Sequence, residues 1–237
     1  MRIILKNINS NFSNKFLKYT KSVTGKVFLA HHGIQRSGTN YLNECLWLCG
    51  NSPINSFDEN RNSPRHKHCR WYANKNFIPS FLIKQYGNNF CVNSLDELNK
   101  IAEYPTNTIH LVIKKEIFSW LASISNWGLH CNWFKDKYSA LNNLSELILD
   151  YKNYYSFWHK LEKLQNERVY VLSFEEINRD FNLVFNNKLK IFLGLKQNEF
   201  NGFIKKVNMS HPKRINQITR QDIIKELQNF DLNNLNA

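Results

Sequence analysis

The sequence lacks most of the signals that would place it outside the ordinary intracellular enzymes and binding proteins. Its five cysteines, Cys45, Cys49, Cys69, Cys91 and Cys131, form no C-x-x-C pair, and their odd number leaves one thiol over. That excludes a zinc ribbon, argues against a disulfide scaffold, and points to a reducing compartment without structural metal. No apolar run reaches the length of a membrane span, and the polar N-terminus carries no signal-peptide pattern. A cytoplasmic chain without a membrane span is therefore expected. No internal repeat is visible. Acidic residues are scarce, 19 against 32 lysines and arginines, giving a net charge of +13. Such an excess implies an anionic partner. Nucleic acid is the general candidate, but the basic residues are not gathered into one arm or helix, and no motif for reading DNA or RNA appears. An anionic cofactor or an acidic glycan is the sharper expectation.

What is present is a globular composition. Hydrophobic residues make up 42% and aromatics 14% of 237 residues, which excludes intrinsic disorder and suits a single domain spanning 1–237. Within it, HHGIQRSGTNYL (His31 to Leu42) has the glycine spacing of a phosphate-binding loop. A nucleoside triphosphate site reads G-x-x-x-x-G-K-[ST]. Gly33 and Gly38 hold that separation, but Thr39 and Asn40 stand where the lysine and hydroxyl residue belong.

The flanking pattern fits such a loop. KVFLAHH (Lys26 to His32) reads as a buried strand, with His31 and His32 as structural residues at its end. TNYLNECLWLC sets Leu42, Cys45, Leu46 and Cys49 at helical spacing, facing a core. Residues 1–25 resist assignment and read as an N-terminal arm. Residues 50–80 form a long polar insert rich in Asn, Ser, Pro, Arg and His, of the kind that commonly carries function. SLDE (Ser94 to Glu97) is a capping box opening a short helix. TIHLVIKK (Thr108 to Lys115) is a second buried strand, followed by a helix with Ile117, Leu121 and Ile124 on one face. Asn143 to Asn166 reads as a long helix, with Leu144, Leu147, Ile148, Tyr151, Tyr155, Trp158 and Leu161 on one stripe. RVYVLSFEEI supplies a third strand running into an acidic turn. Phe181 to Leu195 is expected to be helical, and a final helix to start near Arg220. Strands alternating with helices imply an α/β fold with a parallel sheet and helices on both faces.

Three segments together resemble the sulfotransferase family, whose members use 3′-phosphoadenosine 5′-phosphosulfate (PAPS) as donor. QRSGTNYL (Gln35 to Leu42) is similar to that family's loop for the 5′-phosphosulfate. VIKKEIFSWLASI (Val112 to Ile124) is similar to its strand-turn-helix, where a basic residue and a serine eight positions later hold the 3′-phosphate. VYVLSFEEI (Val169 to Ile177) resembles the strand and acidic turn that follow. The resemblance implies a three-layer parallel sheet flanked by helices, of P-loop nucleotide-binding type. It also accounts for the missing lysine: a sulfuryl donor has no β,γ-phosphate pair to clamp. Backbone N–H groups at a helix N-terminus suffice for the 5′-phosphate.

By this resemblance Gln35, Arg36, Ser37, Gly38, Thr39 and Asn40 form the donor loop, and Arg36 neutralises charge on the departing diphosphate. Lys115 and Ser123 take the 3′-phosphate. The family often has arginine at the first of these positions and proline where Ile117 stands, and the adjacent Lys114 leaves the register open by one. RHKHC (Arg65 to Cys69) matches a Lys-His element. Its Lys67 would lie near the sulfuryl oxygens and His68 would accept the acceptor's proton. His66 is an equally placed neighbour, and Glu175 or Glu176 are further candidates for the base. Lys213 and Arg214, in the basic stretch Lys205 to Arg214, fall where a basic loop folds over the 3′-phosphate. Trp127, Trp133 and Phe134 suit either stacking on an acceptor or a core. The implied reaction is metal-independent sulfuryl transfer to a hydroxyl, with a carbohydrate acceptor suggested by the SGTNYL form of the loop. The alternatives are a P-loop kinase or other NTP-binding protein and, behind it, a basic nucleic-acid-binding module.

Overall fold

A computed structural model describes residues 28–48, 51–73, 89–165, 167–185, 187 and 217–228. The N-terminal arm, Cys49, the later part of the 50–80 insert, most of the Phe181–Leu195 segment, and Lys213 with Arg214 lie outside the described residues.

The elements follow the alternation read from the sequence. Strand β1 (Phe28–His32) leads through the glycine loop into helix α1 (Thr39–Leu48). Two short strands, β2 (Arg70–Tyr72) and β3 (Asn89–Cys91), precede helix α2 (Leu95–Ile101). Strand β4 (Thr108–Lys114) is followed by α3 (Ile117–His130), α4 (Lys137–Asn142) and the long α5 (Leu144–Leu164). Strand β5 (Val169–Ser173) runs directly into α6 (Phe174–Arg179), then α7 (Phe181–Val184), and α8 is Arg220–Gln228. The acidic turn expected after the third strand is thus the first turn of a helix. Ser173 caps it by accepting from the Glu176 N–H, and Glu175 and Glu176 complement its N-terminal dipole. At α2, Ser94 accepts from Glu97 N–H, while the Glu97 carboxylate reaches back to Asn93 N–H, one residue further than a strict capping box.

Strands β1, β4 and β5 form a parallel sheet in that order, with His32 opposite Val112 and Val112 opposite Val171. Because successive side chains of a strand face opposite sides, the sheet feeds two cores. Leu29, Ile109, Leu111, Ile113 and Leu172 pack with Leu42, Cys45 and Leu46 of α1 and with Ile177 and Phe181 of α6 and α7. Ala30, Val112 and Val169 pack on the other side against Trp120, Leu121 and Ile124 of α3 and the stripe of α5. The result is a parallel sheet flanked by helices, with three layers. The stripe read from the sequence, Leu144 to Leu161, is buried throughout. Phe134 belongs to this core, while Trp127 and Trp133 are partly buried at its margin.

The polar insert also holds structure that its composition hides. Strands β2 and β3 pair in parallel outside the main sheet. Residues before β2 cover the free edge of β1: Ile54 N–H donates to Leu29 O at 2.7 Å and Gly33 N–H to Lys67 O at 3.1 Å. Between them the fully enclosed Asn55 side chain accepts from His31 N–H at 3.0 Å and donates to His31 O at 2.8 Å. An edge strand is in this way satisfied by a loop rather than by another strand.

His31 and His32 are structural, as expected from their place at a strand end. The His31 ring bonds Asn55 Oδ1 through Nδ1 at 2.9 Å. His32 Nε2 meets His110 Nδ1 at 3.0 Å, and His110 Nε2 meets Asn99 Oδ1 at 2.9 Å. Burial holds His31 and His110 down at about 3, and lowers His32 strongly with help from the neighbouring His110. All three are therefore neutral in the folded protein, whereas the unfolded chain takes up protons below the ordinary 6.5. Stability is full above that value and is lost as pH falls toward 3, each ring contributing about 1.4 kcal/mol per pH unit. Thermal midpoints should drop steeply between pH 6.5 and 4.5, and His110→Gln should make that slope shallower. A midpoint independent of pH over this range would contradict the assignment of neutral buried rings.

Candidate functional site

The site is assembled at the C-terminal ends of β1, β4 and β5, from the loop that β1 launches. Gly33 lies under that loop: a Cβ there would fall 2.5 Å from Ser37 Oγ and 2.9 Å from the Ile113 carbonyl oxygen. The turn is closed by Ser37 N–H donating to Ile34 O at 3.1 Å, and α1 starts with Leu42 N–H on Gly38 O at 3.0 Å. Two residues of this loop have positive φ, Arg36 at 68° and Gly38 at 106°. For Gly38 this is a conformation L side chains avoid, and its Cβ would also strike Phe174 at 2.3 Å. For Arg36 it is the left-handed region, sustained only because the surroundings fix it. Trp120 of α3 does part of that fixing by donating Nε1–H to Gln35 O at 2.8 Å. The Gln35 amide itself is 7% exposed and neither of its ends has a hydrogen-bond partner.

Arg36 reaches toward α3. Its Nε donates to Ser123 Oγ at 3.3 Å, and its guanidinium lies 5.2 Å from the Trp127 ring centre. Lys115 extends to the same side, its ammonium 5.1 Å over the Phe174 ring. Burial lowers the Lys115 ammonium and the nearby Arg36 charge lowers it further, while Glu175 and Glu116 act in the opposite direction. Lys114 takes the opposite course, bonding His159 Nε2 at 3.1 Å and lying over the Tyr151 and Tyr155 rings. Lys115, one residue past the end of β4, is the lysine whose charge acts on Arg36, and Arg36 in turn bonds Ser123. The strand end is held by α5, whose Tyr155 and Tyr151 hydroxyls donate to Ile113 O at 2.8 Å and Lys115 O at 2.6 Å.

The insert brings the Lys-His element to the same loop. Lys67 Nζ donates to Asn40 Oδ1 at 2.7 Å, and His68 Nδ1 lies 2.7 Å from Gly33 O. A carbonyl only accepts, so Nδ1 carries the proton and the neutral ring keeps Nε2 as its acceptor. Burial is the main cause that lowers His68 far below the usual histidine range, with Lys67, His66 and Arg70 adding repulsion. His66 is differently engaged: it is buried, its Nδ1 accepts from His68 N–H at 3.2 Å, and burial holds it at about 4. Glu175 accepts from Glu116 N–H at 3.1 Å and from the Ser173 hydroxyl at 3.3 Å, a bridge between two helix N-termini. The structure therefore gathers Arg36, Lys115 and Ser123 on one side of the loop and Lys67 and His68 on the other. The other sequence-predicted residues, Lys213 and Arg214, lie outside the described residues.

Two lysines of the site are partly desolvated. Lys67 and Lys115 are partly buried, both have their ammonium lowered chiefly by burial, and among the described residues neither forms an ion pair. Carboxylates nearby offset part of the desolvation cost, Glu59 for Lys67 and Glu175 with Glu116 for Lys115. Among the described residues no cluster of His, Cys, Asp and Glu is arranged to hold a metal ion, and no helix is long and apolar enough to cross a membrane.

Sequence reasoning missed four residues that hold the site together: Asn55, Arg70, Trp120 and Asp150. Asp150 was the most legible of them. It sits at stripe spacing on α5, between Leu147 and Tyr154, and a charged residue at such a position demands a buried partner. No protein-family model matches the chain, and neither does any curated protein.

Gly38→Ala is expected to destabilise the protein by about 2 kcal/mol or more, from φ strain and the Phe174 contact together. Adding Phe174→Ala should recover only the steric part, as read from denaturant midpoints of the single and double variants. A Gly38→Ala protein as stable as wild type would mean that the loop does not hold this conformation.

Proposed function

We propose that the chain is a PAPS-dependent sulfotransferase of P-loop nucleotide-binding type. It moves a sulfuryl group to a hydroxyl, with a carbohydrate as the acceptor, in the cytoplasm. The observation that carries this reading is the gathering of Arg36, Lys115 and Ser123 at a helix N-terminus whose loop has lost the triphosphate lysine. Lys115 and Ser123 would hold the 3′-phosphate, and the amides of Ser37 to Asn40 with Arg36 would hold the 5′-phosphate. The Gln35 amide, without a partner among the described residues, and the partly desolvated ammoniums of Lys67 and Lys115 are the groups an anionic nucleotide would contact.

The donor, when bound, supplies an activated sulfuryl group on its 5′-phosphate. His68, neutral with its proton on Nδ1, takes the acceptor's hydroxyl proton on Nε2 as the new O–S bond forms and the bond from sulfur to the bridging oxygen breaks. Lys67 neutralises the sulfuryl oxygens, and Arg36 the negative charge left on the 3′,5′-diphosphate. The products are a sulfate ester and 3′,5′-diphosphoadenosine, with the proton on His68 returned to solvent.

Calorimetric titration with 3′,5′-diphosphoadenosine in the absence of magnesium should show micromolar or tighter binding. Lys115→Ala and Ser123→Ala should each weaken it, by about ten- to a hundredfold, the loss expected for a hydrogen bond to a charged group. Magnesium-dependent ATP binding in place of this would favour the kinase alternative, and no binding of either nucleotide would remove the reading. His68→Gln should leave the diphosphate affinity unchanged while turnover falls by about a hundredfold or more. An equal loss in both would make His68 a structural residue.

A further inference from the structure

The role given to His68 needs a ring held in one orientation, and the residues that hold it lie outside the donor loop. Arg70, two positions on, is 2% exposed, and Asp150 on α5 is completely buried. Arg70 donates Nε and Nη2 to the two carboxylate oxygens of Asp150 at 3.2 and 3.0 Å, and its remaining Nη1 to the His68 carbonyl at 3.3 Å. The Tyr72 hydroxyl donates to the same carboxylate, and the guanidinium lies 5.6 Å over the Tyr154 ring. A planar fork thus spends two edges on the carboxylate and one on the backbone of the residue read as the base.

A buried ion pair is poor insurance of stability, since apolar residues of similar volume commonly do as well or better. What an apolar pair cannot do here is donate to the His68 carbonyl. We propose that Arg70 and Asp150 are positioning residues: their ion pair fixes the backbone of His68 so that Nδ1–H meets Gly33 O and Nε2 stays the unprotonated nitrogen. This rests on the reading of His68 as the base. The charged or titratable groups acting on the His68 ring are Lys67, His66 and Arg70, and none is acidic.

The test reads the tautomer of His68 directly, by long-range nitrogen–proton NMR on the full chain at pH 7, with turnover measured in parallel. Wild type should show His68 as the Nδ1–H form. Arg70→Lys keeps the charge but not the fork, and should give a mixture of both tautomers. If Arg70→Lys fails to fold, the double variant Arg70→Met with Asp150→Leu buries no uncompensated charge and serves in its place. Turnover in the folded variant should fall by about tenfold to a hundredfold, the cost of a catalytic group displaced by about an ångström. Affinity for 3′,5′-diphosphoadenosine should not change. Folded variants that keep the pure Nδ1–H form, or a wild type that lacks it, would overturn the proposal. A protein that transfers no sulfuryl group yet shows the tautomer change would retain the positioning role and lose only the reaction assigned to it.

Discussion

Both halves of the site depend on one junction, where Gly33 is bonded on each side of its peptide. Its N–H donates to Lys67 O at 3.1 Å and its carbonyl accepts from His68 Nδ1 at 2.7 Å. The first bond closes the edge of β1, and the second fixes a ring tautomer. Because Gly33 is also the first residue of the glycine turn, one residue couples loop geometry to insert geometry. A side chain at this position would collide with Ser37 and with the β4 backbone, so the coupling is available only to glycine. Buried backbone groups must find partners. Here the partners come from the segment to which the proposed reaction assigns its base.

Around this junction the protein brings several positive charges together, with Glu175 and Glu116 acting on Lys115 and Glu59 on Lys67. Asp150 neutralises Arg70, and Glu116 with Arg220 ties α8 to the start of α3. Arg36 instead leans on Ser123 and the face of Trp127, and Lys115 on the face of Phe174. Hydroxyl and aromatic contacts orient these cations, and in the proposed reading that field is in place before an anionic ligand arrives. The loop gives up the lysine of a triphosphate site and draws its cations from a neighbouring strand end and an insert.

Much of the scaffold was legible because its signals were local. Ile109 and Leu111 to Ile113 make a compact apolar strand, the apolar residues of α5 recur at helical spacing, and Gly33 with Gly38 mark the turn between strand and helix. The roles of residues far apart in sequence were less accessible. Adjacent Lys114 and Lys115 look equivalent until the end of β4 turns Lys114 toward His159 and Lys115 toward Phe174. His66 and His68 look equivalent until Gly33 O selects one of them and the His68 amide engages the other. Asn55 carries no signal at all as one more asparagine in a polar insert, yet it completes the edge of β1. Strand β2 was invisible for a related reason: three residues paired to another short strand leave no periodicity to read.

The central claim is that this cationic loop serves sulfuryl transfer, and the most direct measurement is of the transfer itself. Incubation of the protein with sulfur-labelled PAPS and a broad panel of glycans, without magnesium, should move label into a glycan ester. One 3′,5′-diphosphoadenosine should be released for each ester formed. Label that stays on the donor across glycan and phenol panels, with a folded protein that binds the diphosphate, would contradict the claim and leave an anion-binding domain without this chemistry.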